Sequence, residues 1–340
     1  MRMPPLTLSC WLLGLLLASV VAGVALGSVS LAPDVVVRVL LGRITGAAVD
    51  PVAERIVWQL RLPRVLMALL TGGGLAIVGV AMQTLVRNPL AEPYILGLSS
   101  GASAGASLFY LGFLPPLLSR TLSMPLAAFL GALLALTLVY LVARQNGVLS
   151  VTRLLLGGVA ISALMASITS FVTFASPSPD KLRAVLFWLL GSFSGARWSL
   201  LPLPALATLL GLLGMLALTR PMDLLLLGEE PAAQLGIPVE LAKRLLILFA
   251  ALVTGTLVAF SGTIGFVGLI IPHAVRALTG VPHRRVVPLS FLLGAAFLIW
   301  ADLVARLLLP GTELPVGVVT ALCGVPFFLM LLRRSHYRFG

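Results

Sequence analysis

The sequence predicts an all-α, polytopic membrane protein with about ten transmembrane helices. Three observations carry that expectation. The chain is 59% hydrophobic and only 10% charged, where soluble domains carry about 25% charged residues. Apolar runs long enough to cross a bilayer recur along the whole chain, separated by short segments that hold the charges and many of the prolines. Finally, residues 61–107 pair two helices rich in Gly and Ala around a polar turn, Arg87-Asn88-Pro89-Leu90-Ala91-Glu92-Pro93. In lipid, where little hydrophobic drive holds helices together, such small residues let backbones approach.

The runs fall at about 8–28, 63–84, 93–112, 123–143, 153–175, 199–219, 243–261, 263–280, 286–305 and 315–332. They form one transmembrane domain over residues 1–340. The first run follows Arg2 and is longer than a signal-peptide core, so it is read as a retained helix. The longest connection, 31–58, holds Pro33, Asp34, Pro51 and Glu54 and is expected to contain a short surface helix. Arg61 and Arg64 flank Pro63 where the second span begins, as exposed charges. Glycines repeat at 72–74 and 79, at 97, 101 and 105, and at 262, 265 and 268. They suit either tight packing or a helix that slides along a conduit. The segment from Ser176 to Lys181 breaks the chain, and an amphipathic stretch follows from Leu182 to Gly191. Arg64-Val65-Leu66 and Arg244-Leu245-Leu246 each open a Gly-bearing helix running in opposite directions, a faint echo of an inverted repeat.

The loop over 220–242 is punctuated as two short helices. Pro221 and Pro231 suit first turns, Asp223, Glu229 and Glu230 suit the positive helix end, and Gly228 and Gly236 suit stops. Helices this short need a surface to dock on.

Several function classes are disfavoured. The net charge of +12 comes from basic residues scattered singly between apolar runs, which fits lipid headgroups and not nucleic acid. Cys10 and Cys323 lie near opposite ends of the chain and suggest neither a disulfide nor a metal site. His273 reads as a packing residue, and His283 and His336 as loop residues. A P-loop needs Gly-Lys before Ser or Thr, but Lys181 follows Asp180 and Lys243 follows Ala242, so any ATPase is a separate polypeptide and this chain is not an enzyme. All eleven acids read as loop or span-end residues, with Asp302 one turn from Arg306 as a local ion pair. That argues against proton coupling, although an ion-coupled secondary transporter remains the alternative.

An even number of spans puts both termini on one side. Basic residues on that side, including Arg2, Arg87, Arg144, Arg153, Arg220, Lys243, Arg244, Arg276, Arg284, Arg285, Arg333, Arg334 and Arg338, outnumber those on the other, so both termini are read as cytoplasmic.

Seven stretches carry a family resemblance. They are RLPR at 61–64, NPLAEP at 88–93, the loop around 228–236, GTIGFVGLIIPHAVR at 262–276, HRR at 283–285, ADLVAR at 301–306 and TELPVGVVTALCGVPFF at 312–328. In that order they resemble the FecCD-type permease subunits of type II ABC importers, which take up iron-siderophores, haem and cobalamin. The resemblance implies a homodimer in the bacterial inner membrane with a path on its two-fold axis. Two ATPase subunits, carrying ATP and Mg, would sit below and a periplasmic binding protein above. No cofactor would bind this chain. Arg61, Arg64 and Arg306 would meet acidic residues of the binding protein. Gly228, Glu229, Glu230, Ala232, Ala233, Gln234, Leu235 and Gly236 would couple to the ATPase. Asn88 and Leu90, with Val151 and Thr152, would form the cytoplasmic gate. Some relatives have hydroxyl residues at both of the last two positions, so Val151 is a departure.

Overall fold

A single long helix organises the molecule. In the computed structural model, which describes residues 5–334 except 28, 30, 48, 177, 178 and 310, the chain is helical from Pro51 to Val86 without interruption. It runs as α3 (Pro51–Glu54), a π-helical stretch (Arg55–Arg61) and α4 (Leu62–Val86). The expected start near residue 63 is therefore corrected to Pro51. Asp50 caps that start by accepting from the Ala53 N–H at 3.0 Å, and Pro51 suits a first helical turn.

The remaining elements, in order, are α1 (Pro5–Ala25), α2 (Pro33–Thr45), α5 (Leu98–Tyr110), α6 (Pro116–Thr121), α7 (Met124–Ala143) and α8 (Val151–Phe174). They are followed by α9 (Pro179–Leu189), α10 (Pro202–Ala217), α11 (Thr219–Leu225), α12 (Glu229–Gln234) and α13 (Val239–Ser261). Last come α14 (Val267–Thr279), α15 (His283–Leu307) and α16 (Val316–Arg334). The amphipathic stretch after residue 181 is α9, and the surface helix expected in 31–58 is α2. Arg2, His336, Arg338 and the Pro177-Ser178 step lie outside the described residues.

α4 packs against α15, α13, α14 and α10, while α5, α7 and α8 form a second group joined to it through α13. Glycines set the closest approaches. A methyl at Gly72 would fall 2.2 Å from the Gly294 carbonyl oxygen, and one at Gly79 would fall 2.1 Å from that of Gly268. Neither position admits a larger residue without parting the helices. α1, α7 and α8 leave most of their apolar surface outward, with Trp11 and Phe174 largely exposed, as lipid-facing helices do.

Apolar helices occupy each predicted position, but not all are full spans. Six of those described are individually long and apolar enough to cross a membrane; α10 joins α11 through a 59° bend to make a seventh candidate. α5 and α14 have only 13 residues each. Both start inside the bundle: Gly268 lies against Gly79, seven residues from the end of α4, or about 10 Å at the helical rise. The broken backbone ahead of each is stitched to the other. Tyr94 Oη accepts from the Ile264 N–H at 2.9 Å and donates to the Ile264 carbonyl. Glu92 Oε1 accepts from the Phe266 N–H at 2.9 Å. Non-helical backbone at membrane depth is tolerated when protein groups satisfy it in this way. Glu92 was expected in a loop and instead holds the N-terminus of α14, where the helix dipole favours an anion.

Candidate functional site

Because α4 and α15 run antiparallel, the RLPR and ADLVAR segments share one end of the bundle. Arg61, Arg64 and Arg306 converge there, but they are not the exposed charges the sequence suggested: they are 5%, 8% and 7% exposed. Arg64 donates to Asp302 through Nε at 3.0 Å and Nη2 at 2.9 Å, and to Glu313 through Nη1 at 2.9 Å. Arg306 Nε pairs with Asp302 Oδ2 at 3.1 Å. Arg61 Nη1 donates to the carbonyls of Val24 and Ala25 at 3.0 and 2.7 Å, and Nη2 donates to that of Val29, closing the C-terminal end of α1. The helix starts a dozen residues before Pro63, so these positions face α1 and α15 instead of water. Asp302, read as a partner of Arg306 alone, is 1% exposed and shared with Arg64. The three arginines and Glu313 still line a cavity of about 310 Å³, together with Ser194 and Ala196. Three cations and one carboxylate line it, with the buried Asp302 behind them, so the cavity keeps a positive excess.

The opposite end holds the turn and the loop. Arg87 closes α4 in the left-handed region (φ 52°), and Asn88 Oδ1 accepts from the Leu90 N–H at 2.9 Å, an Asx turn. Asn88 is exposed and Leu90 half-buried. Val151 and Thr152 open α8, half-buried and exposed, with Ser150 accepting from the Arg153 N–H at 3.4 Å. Ahead of them is a two-stranded hairpin, β1 (Arg144–Gln145) and β2 (Val148–Leu149), turned by Asn146 and Gly147 at positive φ. Asn-Gly is the sequence signal for such a turn, and it was passed over.

The two short helices of the 220–242 loop are α11 and α12. Gly228 (φ 117°) starts α12, and Gly236 (φ 81°) follows its end in the left-handed region. Ala232 is fully buried and packs with Met222, Leu225 and Ala242. Glu230, Ala233, Gln234, Leu235 and Gly236 are exposed, and Leu227 beside them is 63% exposed. The eight residues thus divide. Gly228, Glu229 and Ala232 hold the helix to the protein, and the rest present a surface.

His283 was placed in a loop and is in fact the first residue of α15, fully buried. Its Nδ1 and backbone N–H meet Asp223 Oδ1 at 2.6 and 3.0 Å. Its Nε2 meets Thr84 Oγ1 at 2.8 Å. Burial alone would raise the Asp223 carboxyl, but the two hydrogen bonds and the ring's charge outweigh that and hold it below its ordinary value. His273 stacks edge-on with Phe327, its ring 6.0 Å away, as a packing residue would.

A bundle built on small-residue contacts, interrupted by stitched half-helices and carrying a pair of short helices on one end, is a multi-pass membrane permease. The chain belongs to the FecCD transport family, whose model matches residues 15–334. It is 44% identical to the cobalamin import system permease protein BtuC of Halobacterium salinarum over 85% of this chain and 76% of that one. It is 42% identical to the vitamin B12 import system permease protein BtuC of Klebsiella pneumoniae over 83% of each. It is 38% identical to the ABC transporter permease protein YvrB of Bacillus subtilis over 94% of this chain and 92% of that one. A metal-chelate type ABC transporter in an inward-facing conformation superposes with a TM-score of 0.84 at 33% identity, covering 97% of this chain and all of that one.

Proposed function

We propose that this chain, as a homodimer, forms the path of an ATP-driven importer for a corrinoid or a related metal chelate. Cargo passes from an external binding protein to the cytoplasm. Two separate ATPase subunits bind and hydrolyse ATP with Mg²⁺ to drive transport, and both termini lie on their side of a cytoplasmic membrane. The observation that carries this reading is the likeness to permeases named for cobalamin and vitamin B12 import, at 44% and 42% identity. Iron-siderophore and haem belong to the same cargo class and are the competing substrates.

The exposed surface from Glu230 to Gly236 supports an ATPase contact: a six-residue helix followed by an exposed leucine, Leu235, gains stability by docking. Asn88 and Leu90 with Val151 and Thr152 supply the gate, since both pairs sit at the α12 end and reach its surface. The cavity of Arg61, Arg64 and Arg306 supports binding-protein docking in a changed form. It receives an inserted carboxylate instead of meeting a flat acidic face, and its positive excess favours that. Ion coupling gains no support: Asp302 and Glu92 are taken up by arginines and by a backbone N–H.

The test is uptake by proteoliposomes containing this chain, its ATPase and its binding protein. Cyanocobalamin should enter only with ATP on the ATPase side, and excess ferric siderophore should not compete. Siderophore uptake without cyanocobalamin uptake would move the cargo assignment and leave the importer reading intact.

A further inference from the structure

We infer that two buried polar relays, one centred on Lys243 and one on His283, carry movement of α11 and α12 separately to the two halves of the gate. This rests on reading 228–236 as the ATPase contact.

The first relay starts at Glu229, the first residue of α12. Its Oε2 accepts from Lys243 Nζ at 2.9 Å, and the same nitrogen donates to the Leu149 carbonyl at 2.9 Å. Lys243 is 1% exposed and also pairs with Glu240 Oε1 at 2.6 Å. Glu240 Oε2 accepts from the Leu149 N–H at 3.0 Å. Both backbone groups of Leu149 are thus held by the base of α13, and Leu149 precedes Val151 by two residues. α12, α13 and the start of α8 are joined through one ammonium.

The second relay starts at Asp223 on α11 and passes through His283 to Thr84 on α4. The Thr84 hydroxyl also reaches the Val80 carbonyl at 2.9 Å. The Asp223 carboxylate accepts at Nδ1. The imidazole is thus held at both ring nitrogens, between α11 and α4. Thr84 lies three residues before Arg87, where the turn bearing Asn88 and Leu90 begins.

The two relays share no residue. Parting the first leaves a 1% exposed ammonium with one carboxylate fewer, and parting the second leaves a fully buried imidazole without its carboxylate partner; both are less favourable than moving the joined segments together. Each therefore acts as a stiff link between a short helix of the 220–242 loop and one gate element. Lys243 and His283 are positioning residues that act through Leu149 and Thr84.

The experiment uses the complete complex in lipid nanodiscs. Cysteine reporters, Thr152→Cys or Leu90→Cys, crosslink across the dimer. In Lys243→Met the ATPase should still co-purify and hydrolyse ATP, while transport per ATP falls about tenfold. Thr152→Cys crosslinking should stop responding to nucleotide, and Leu90→Cys crosslinking should keep responding. His283→Gln should give the mirror pattern, and Lys243→Arg should restore much of the loss. If Lys243→Met does not accumulate, the selective pattern in His283→Gln decides the matter. Wild-type coupling in the variants, or simultaneous loss of both reporter responses, overturns the relays. Failure of the underlying reading looks different: Leu235→Asp would then keep its ATPase and transport normally.

Discussion

Arg64 on α4 and Asp302 on α15, far apart in sequence, form a buried ion pair with two bonds from one guanidinium, at 3.0 and 2.9 Å. Arg306 approaches the same carboxylate from the other side. These contacts lock the two most closely packed long helices at one end, while Thr84 and His283 join them at the other.

Arg64→Ala should destabilise the protein by about 3–5 kcal/mol, because Asp302 would remain buried with only Arg306 to compensate it. Thermal unfolding in detergent measures this. The Arg64→Ala/Asp302→Ala double variant should lose less than the sum of the single losses, since the two residues share one interaction.

Gly79→Val should prevent close approach of α4 to the start of α14. At 2.1 Å from the Gly268 carbonyl, the new Cβ forces backbone apart, and overpacking of this kind costs about 1–3 kcal/mol or more. Protein yield after membrane extraction should fall sharply. The same change at Gly14, which has nothing within 4 Å, should be silent.

Gly236→Val should act differently. Space is open around Gly236, but its φ of 81° strains a β-branched residue by about 1–2 kcal/mol. Membrane insertion and thermal stability should change little, while the ATPase subunit is lost on purification. Retention of the subunit with normal transport would count against the docking role.

The Asp223 carboxyl lies below its ordinary value in the folded protein, so its contribution is present above the unfolded value and fades as pH falls through the folded one. The stability difference between wild type and Asp223→Asn should therefore hold at neutral pH and shrink below about pH 4. A difference that does not change on acidification would show that the carboxylate is not charged in its bond to His283.

Much of this architecture was legible because it is written in local pattern. Apolar runs placed each helix, the early start of the central one at Pro51 excepted, and Pro221, Gly228, Pro231 and Gly236 marked α11 and α12. Long-range polar pairing was not legible. Nothing local distinguishes Arg64 as a headgroup anchor from Arg64 as the partner of Asp302, and the choice depended on whether the helix began at residue 51 or 63. Glu92 was misread for the same reason: a carboxylate in a turn looks solvated until the turn is seen to dip into the bundle against Phe266. The recognised stretches 88–93 and 262–276 proved to be physical partners through Glu92 and Phe266. A pairing of two broken helices is visible only in three dimensions.

Transport through this chain should be driven by ATP. The most direct measurement is uptake of labelled cyanocobalamin into proteoliposomes holding the chain, its ATPase and its binding protein, with and without ATP and with a protonophore. Uptake should require both ATP and the binding protein and be indifferent to the protonophore. Uptake driven by an ion gradient in the absence of ATP would contradict this expectation.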